Sequence, residues 1–262
     1  MLSLCNGWEF TQEWTAEFCN GAGAFPQVRL PHNVRDLPLH YADHTAYQMV
    51  CGYRKILTVT EEMAGKRLFL QFDGAAHIAT VYLNGRELTN HRCGYTAFRV
   101  EITEFAKIGE NLLAVKLDTT ENAAIPPFGF VIDYLTYGGL YREVWLDVRE
   151  RSHIADLYIT TPTTDSVRLE IIGENATGCT YLVEILDETG YILLRKRTCD
   201  DIMILPVPGA RKWSVSDPYR HLCRVTLEYQ GQAVDVQEMR FGFRTVEAKA
   251  DGFYLNGEKI FL

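Results

Sequence analysis

Residues 66–88 read KRLFLQFDGAAHIATVYLNGREL. Within Lys66–Asp73, Leu68, Leu70 and Phe72 alternate with Arg67, Phe69 and Gln71, the period-two signature of a strand with one buried face. A link of small residues, Gly74-Ala75-Ala76, leads to a second run at Thr80–Leu83 and then to Asn84-Gly85. Both residues of that dipeptide tolerate positive φ, so it closes a tight type I′ hairpin into Arg86-Glu87-Leu88. The stretch therefore predicts antiparallel β-structure, and its period-two texture recurs on both sides.

Downstream, Tyr95–Ile102 and Asn111–Asp118 read as further strands, with Thr103–Ile108 as a turn or short helix between them. Glu121–Gly139 contains Pro126-Pro127 and closely spaced glycines and aromatics, which predicts a long surface loop. Strand alternation returns over Leu140–Val148. Residues 1–148 are thus expected to form an all-β sandwich. From Arg149 the runs become shorter and evenly spaced: Ile154–Thr160, Ser166–Gly173, Thr180–Leu186, Tyr191–Arg197, Ile202–Val207, Cys223–Tyr229 and Ala233–Phe243. Seven strands in about a hundred residues is the count of an immunoglobulin-like sandwich, here expected over 149–246. Asp187-Glu188-Thr189-Gly190 and Gln230-Gly231 supply turns between neighbouring runs. The final Asp251–Leu262 carries another Asn-Gly turn, Asn256-Gly257, and then an apolar run.

Composition narrows the possible functions. With 47% hydrophobic and 12% aromatic residues in 262, the chain has ample material for packed cores. The net charge is -8 and the densest basic run is Arg195-Lys196-Arg197, so no nucleic-acid partner is expected. The first residues, MLSLCNGWEFTQEW, lack a basic, apolar leader, and no stretch is long and apolar enough to span a bilayer. No membrane association and a cytoplasmic location are the resulting expectations. The seven cysteines are scattered without a C-x-x-C pair, which fits reduced thiols rather than a disulfide framework.

Seven sequence words occur in a telling order: Leu30-Pro31-His32, Gly52-Tyr53-Arg54-Lys55, Phe72-Asp73-Gly74, Val81-Tyr82-Leu83-Asn84-Gly85, Gly94-Tyr95-Thr96-Ala97-Phe98, Asn111-Leu112-Leu113-Ala114-Val115 and Gly138-Gly139-Leu140-Tyr141-Arg142-Glu143-Val144-Trp145-Leu146. Each is weak alone, but together they resemble the sugar-binding domain of glycoside hydrolase family 2. The second domain resembles that family's immunoglobulin-like middle domain, closing on Phe241-Gly242-Phe243-Arg244. Phe253–Ile260 is similar to the hairpin through which members enter their catalytic barrel. The pattern departs at Trp213–Leu222, which puts the local loop in question and not the domain.

The resemblance implies a galactose-binding-like, jelly-roll-like sandwich over 1–148, an immunoglobulin-like sandwich over 149–246 and the start of a TIM barrel over 247–262. It also implies a parent enzyme of the β-galactosidase or β-glucuronidase type that hydrolyses terminal β-sugars with retention. That chemistry uses two glutamates on barrel strands roughly 5 Å apart, and neither position falls in 1–262, so this chain alone is expected to be catalytically inactive. It would shape the pocket and support the barrel, its own partner domain, with carbohydrate as substrate and no cofactor. Homo-oligomerisation is common in such enzymes.

Two substrate contacts are carried over by the resemblance. The loop before the Gly-Gly-x-x-Arg word presents an aspartate to sugar hydroxyls, and the matching residue is Asp133; a carboxylate accepts from two adjacent hydroxyls through strong, charge-assisted bonds. Gln48, in Tyr47-Gln48-Met49, stands where some relatives place another contact, against the alternative of a surface glutamine. Arg142 reads as a structural arginine pairing with a carboxylate across domains, in preference to a clamp for a substrate carboxylate. His32, Asp36, His40, Asp43 and His44 include metal-competent side chains, but Pro31 and Pro38 favour a solvated loop, and no metal is expected. Phe128, Phe130, Tyr134, Tyr137 and Tyr141 could stack on a sugar face or pack beneath their loop. The competing function is a stand-alone carbohydrate-binding module, which would need a complete groove within one sandwich.

Overall fold

Asn84 and Gly85 adopt φ of 52° and 79°, as a type I′ turn requires. They join two strands whose register closes on Leu83 opposite Arg86. The computed structural model that contains this hairpin describes residues 1–36, 40, 43–126, 128 and 136–261. It divides the chain into two units, Met1–Arg149 and Glu150–Leu262.

In the first unit the strands are β1 (Leu2–Ser3), β2 (Trp8–Thr11), β3 (Gln27–Val28), β4 (Val50–Val59), β5 (Arg67–Phe72), β6 (Ile78–Leu83), β7 (Arg86–Arg92), β8 (Phe98–Glu101), β9 (Gly109–Asp118) and β10 (Val144–Arg149). They form a six-stranded sheet, β3-β2-β4-β9-β6-β7, and a four-stranded sheet, β1-β10-β5-β8, and every ladder is antiparallel. The alternation read from the sequence supplies the core: Ala79, Val81 and Leu83 of β6 and Leu113, Val115 and Leu117 of β9 join Leu68, Leu70 and Phe72 of β5 in one buried cluster. Trp8 and Tyr53 are fully buried within it. One short helix, α1 (Ala16–Cys19), is capped by the Thr15 hydroxyl, which accepts the Phe18 N–H. Its segment covers the outer face of β4 and β6: Trp14 stacks on Tyr82, and Phe18 lies against Gly52.

Two local expectations shift. The strand read over Tyr95–Ile102 is shorter, because the carbonyls of Gly94 and Tyr95 accept side-chain donors instead of ladder bonds. Likewise the strand read from Leu140 begins at Val144, and the Leu140 carbonyl accepts the His32 N–H.

The second unit holds β11 (His153–Thr163), β12 (Ser166–Glu174), β13 (Thr180–Leu186), β14 (Ile192–Thr198), β15 (Ile202–Pro206), β16 (His221–Tyr229) and β17 (Gln232–Phe241). Sheets β11-β12-β15 and β14-β13-β16-β17 enclose a core that includes Val167, Leu169, Val183, Ile185, Val225, Leu227 and Phe243. This seven-stranded pattern is that of an immunoglobulin-like sandwich. In the stretch that departs from the family pattern, Trp213 donates its N–H to the Phe243 carbonyl at 2.9 Å. Three short strands, β18 (Val246–Lys249), β19 (Gly252–Leu255) and β20 (Glu258–Ile260), make a separate small sheet.

Candidate functional site

The conspicuous convergence in the first unit lies at the Asp118 end of β9. Thr119, 1% exposed, donates its hydroxyl to the Tyr47 carbonyl at 2.6 Å and accepts the Met49 N–H at 3.0 Å. Its own N–H donates to the Met49 carbonyl at 2.9 Å. Gln48 is therefore held between two anchored neighbours, half-buried. The far side of Thr119 packs on Gly138, where a Cβ would lie 2.3 Å from Thr119 Cγ2. Gly139 has φ of 141° and a Cβ position 2.2 Å from the His32 carbonyl oxygen, so only glycine fits there. Gly139 and Ala76 exchange both backbone hydrogen bonds, at 3.0 and 3.2 Å.

One threonine thus brings together the segment carrying Gln48 and the segment that follows Asp133. Asp133 itself lies outside the described residues, as do Phe130 and Tyr134 of the aromatic group. Phe128 and Tyr137 are 45% and 48% exposed, free to meet a ligand face. Tyr141 is different: it is half-buried, and its hydroxyl donates to the Gly94 carbonyl at 2.5 Å.

Charge gathers at the same end. The buried Thr136 hydroxyl donates to Glu121 Oε1 at 2.9 Å. His77 is 4% exposed, and neither ring nitrogen has a hydrogen-bond partner. Burial lowers its pKa, and the carboxylates of Glu121 and Asp118 oppose that shift without reversing it, so the ring is neutral near pH 7. Thr119, Glu121 and His77 stand in no recognisable motif and escape a reading of the sequence alone. A buried threonine two residues before an acid is a signal only once its neighbours in space are known.

Within the first unit Arg142 bonds backbone carbonyls. Its Nη1 donates to the carbonyls of Asp73 and Tyr95 at 3.3 and 3.4 Å. The nearby Asp73 carboxylate is already engaged by Trp145 Nε1 at 2.8 Å and Gln71 Nε2 at 3.2 Å. In the histidine- and aspartate-rich loop, His32 Nδ1 is bonded to the Tyr53 hydroxyl at 2.9 Å, and Asp43 caps the 3-10 turn His44–Tyr47 by accepting from Thr45. Among the described residues no group of three His, Cys, Asp or Glu side chains is arranged to hold a metal ion. Hydrogen-bond acceptors, an amide and exposed rings can bind a polyol. They do not constitute a hydrolytic couple.

Comparison with known proteins places both units. The model of the glycosyl hydrolases family 2 sugar binding domain matches residues 21–149, and a second model described as glycosyl hydrolases family 2 matches residues 152–244. A β-galactosidase of Thermoanaerobacter pseudethanolicus is 33% identical over 251 residues, covering 90% of this chain and 34% of that protein. A β-glucuronidase of Bacteroides fragilis is 30% identical over 286 residues, covering 99% of this chain and 40% of that protein. Among solved structures, a Ruminococcus gnavus β-glucuronidase in complex with C6-substituted uronic isofagomine superposes with a TM-score of 0.86 at 25% identity, over 99% of this chain and 48% of that one. A family 2 member from Bacteroides cellulosilyticus gives 0.82 at 26% identity, over 99% and 38%. The chain spans between a third and two-fifths of the length of these curated relatives.

Proposed function

The chain belongs to glycosyl hydrolase family 2, and from that membership we propose that it forms the non-catalytic front of a retaining β-glycosidase of the β-galactosidase or β-glucuronidase type. The observation that carries this reading is the tandem of two family matches, 21–149 and 152–244, in relatives more than twice as long. The described residues build antiparallel sandwiches, whereas retaining hydrolysis needs two carboxylates roughly 5 Å apart on a rigid frame. The first sandwich would wall the sugar pocket, with Asp133 and Gln48 offering an acceptor and an amide to substrate hydroxyls. Phe128 and Tyr137, which flank Asp133 in sequence, are exposed and suit stacking on a sugar face. The second sandwich would support the barrel. Seven free thiols suit a reducing, cytoplasmic setting.

The test has two arms. Purified 1–262 should leave p-nitrophenyl β-galactoside and β-glucuronide intact, while the protein carrying the barrel cleaves one of them; turnover by 1–262 rejects the non-catalytic reading. In the barrel-bearing protein, Asp133→Ala should cost roughly 2 kcal/mol in kcat/KM, the scale of one charged hydrogen bond. Gln48→Ala should cost about 1 kcal/mol, as a neutral bond does. Unchanged kinetics would remove either residue from the pocket.

A further inference from the structure

The outer face of β4 carries a second recess. The rungs Val50 opposite Asp118 and Ile56 opposite Leu112 are separated by six residues of β4, so Ile56 lies about 20 Å along the strand from the Gln48 end. Around Ile56 and Leu112 opens a cleft of about 540 Å³, bordered by Asn6, Glu9, Gln27 and Lys55 and backed by Arg54. We infer that this cleft is a secondary binding site for a short neutral oligosaccharide, distinct from the Gln48 end of the same sandwich.

The chemistry of the walls selects that ligand class. Arg54 is 4% exposed and has four of its five N–H donors committed: Nε to Glu9 Oε2 at 2.5 Å, Nη1 to the carbonyls of Phe18 and Ala22 at 2.9 and 2.8 Å, and Nη2 to Gly23 at 2.7 Å. Lys55 Nζ donates to the carbonyls of Leu4 and Asn6 at 3.1 and 2.8 Å. Both cations are therefore engaged by the protein itself. The Glu9 carboxylate is held rigidly through one oxygen, which leaves Oε1 as a preorganised acceptor. The side-chain amides of Asn6 and Gln27, both exposed, add donors and acceptors.

Ile56, 51% exposed, and the half-buried Leu112 give an apolar strip for the C–H face of a pyranose. An amphipathic cleft of this size suits a small sugar, since hydroxyls donate to Glu9 and accept from the amides. A uronate in the same place would set its carboxylate against Glu9 with little free cationic capacity opposite. Without an aromatic platform among the bordering residues, the expected affinity is weak, on the order of 1–10 mM.

The experiment uses ¹⁵N-labelled protein titrated with cellotetraose and, separately, with tetragalacturonate. Cellotetraose is expected to shift the side-chain amides of Asn6 and Gln27 and the backbone amides of Gly7 and Gly21, with tetragalacturonate several-fold weaker. Gln27→Ala combined with Ile56→Asp alters two exposed side chains without touching the Arg54–Glu9 pair, and should weaken cellotetraose binding roughly tenfold. The proposal is overturned by no shifts at about 20 mM sugar, by equal binding to the double variant, or by preference for the acidic probe. Shifts confined to Gln48, Thr119 and Gly138 would overturn it too, while leaving the pocket-wall role intact.

Discussion

Thr119 and Gly138 are in such close contact that a Cβ on the glycine would fall 2.3 Å from Cγ2 and 2.5 Å from Cβ of the threonine. The hydroxyl of the same threonine is bonded to Tyr47 and Met49, so the side chain cannot retreat without breaking those bonds. The pair therefore sets the spacing between the two segments proposed to line the sugar pocket.

Gly138→Ala should accordingly destabilise the first sandwich by roughly 2–3 kcal/mol, the range for overpacking a rigid contact. Thr119→Ser should not rescue it, because the threonine Cβ is itself too close; Thr119→Gly in the same chain should recover part of the loss. Urea unfolding of the three variants measures this, and a Gly138→Ala protein as stable as wild type would rule the contact out as a constraint.

Arg54 is a clamp for the segment that covers the sheet. Its guanidinium lies over the rings of Phe18 and Phe25, at 4.5 and 5.1 Å, and bonds carbonyls within 18–23. Arg54→Met would leave those carbonyls and Glu9 without their donor, a loss of about 3 kcal/mol or more. Glu9→Gln should cost less, roughly 1 kcal/mol, since the carbonyl bonds persist. Equal losses for the two variants would mean that the ion pair, and not the carbonyl clamp, dominates.

Three histidines, the buried His77 and His221 and the half-buried His32, predict the pH dependence of folding. His32, His77 and His221 are each lowered from 6.5 by burial, with neighbouring Asp36, Glu121 with Asp118, and Asp187 respectively opposing the shift. The unfolded chain protonates them near 6.5 while the folded chain resists, so stability is full above that value. It falls as the pH drops below 6.5 toward the depressed folded values. Unfolding free energies at about pH 7.5 and 5.5 should differ in that direction, and His77→Leu should flatten the difference. An unchanged slope in the variant would show that His77 titrates alike in both states.

The thiols should separate by reactivity. Cys51 and Cys223 are pushed to about 12 by burial, and Cys19 is raised by burial as well. At Cys93 burial alone would raise the pKa, but bonds from the Thr96 hydroxyl and the Tyr95 and Thr96 backbone outweigh it and lower the thiol below its ordinary range. Iodoacetamide near neutral pH should therefore modify Cys93 first, and Thr96→Val should slow that reaction. Mass spectrometry of the alkylated peptides gives the order; faster labelling of Cys51 than Cys93 would contradict it. Because all seven thiols are free, dithiothreitol should leave the Tm unchanged.

Much of the architecture could be read from local pattern. The Asn84-Gly85 turn and the strand runs after Arg149 depend on residues adjacent in the chain, where side-chain period and backbone preference act directly. The strand β4 is hidden from that pattern, although Cys51, Tyr53, Leu57 and Val59 alternate inward. Gly52 and Arg54 on its outer side are covered by Trp14 and Phe18, so the expected polar face is itself overlaid, and Lys55 interrupts the inner row.

The site was less legible. Asp133 and Gln48 came from likeness to a family, and nothing in their own neighbourhood distinguishes them from ordinary loop residues. Thr119 meets Tyr47 across 72 positions of chain and Gly138 across a long loop, while Arg54 collects partners from four places between Glu9 and Gly23. Such meetings arise when sheets stack and bury polar groups that must then be paired. Periodicity records which face of an element turns inward, but the identity of the partner waiting there depends on how distant strands pack.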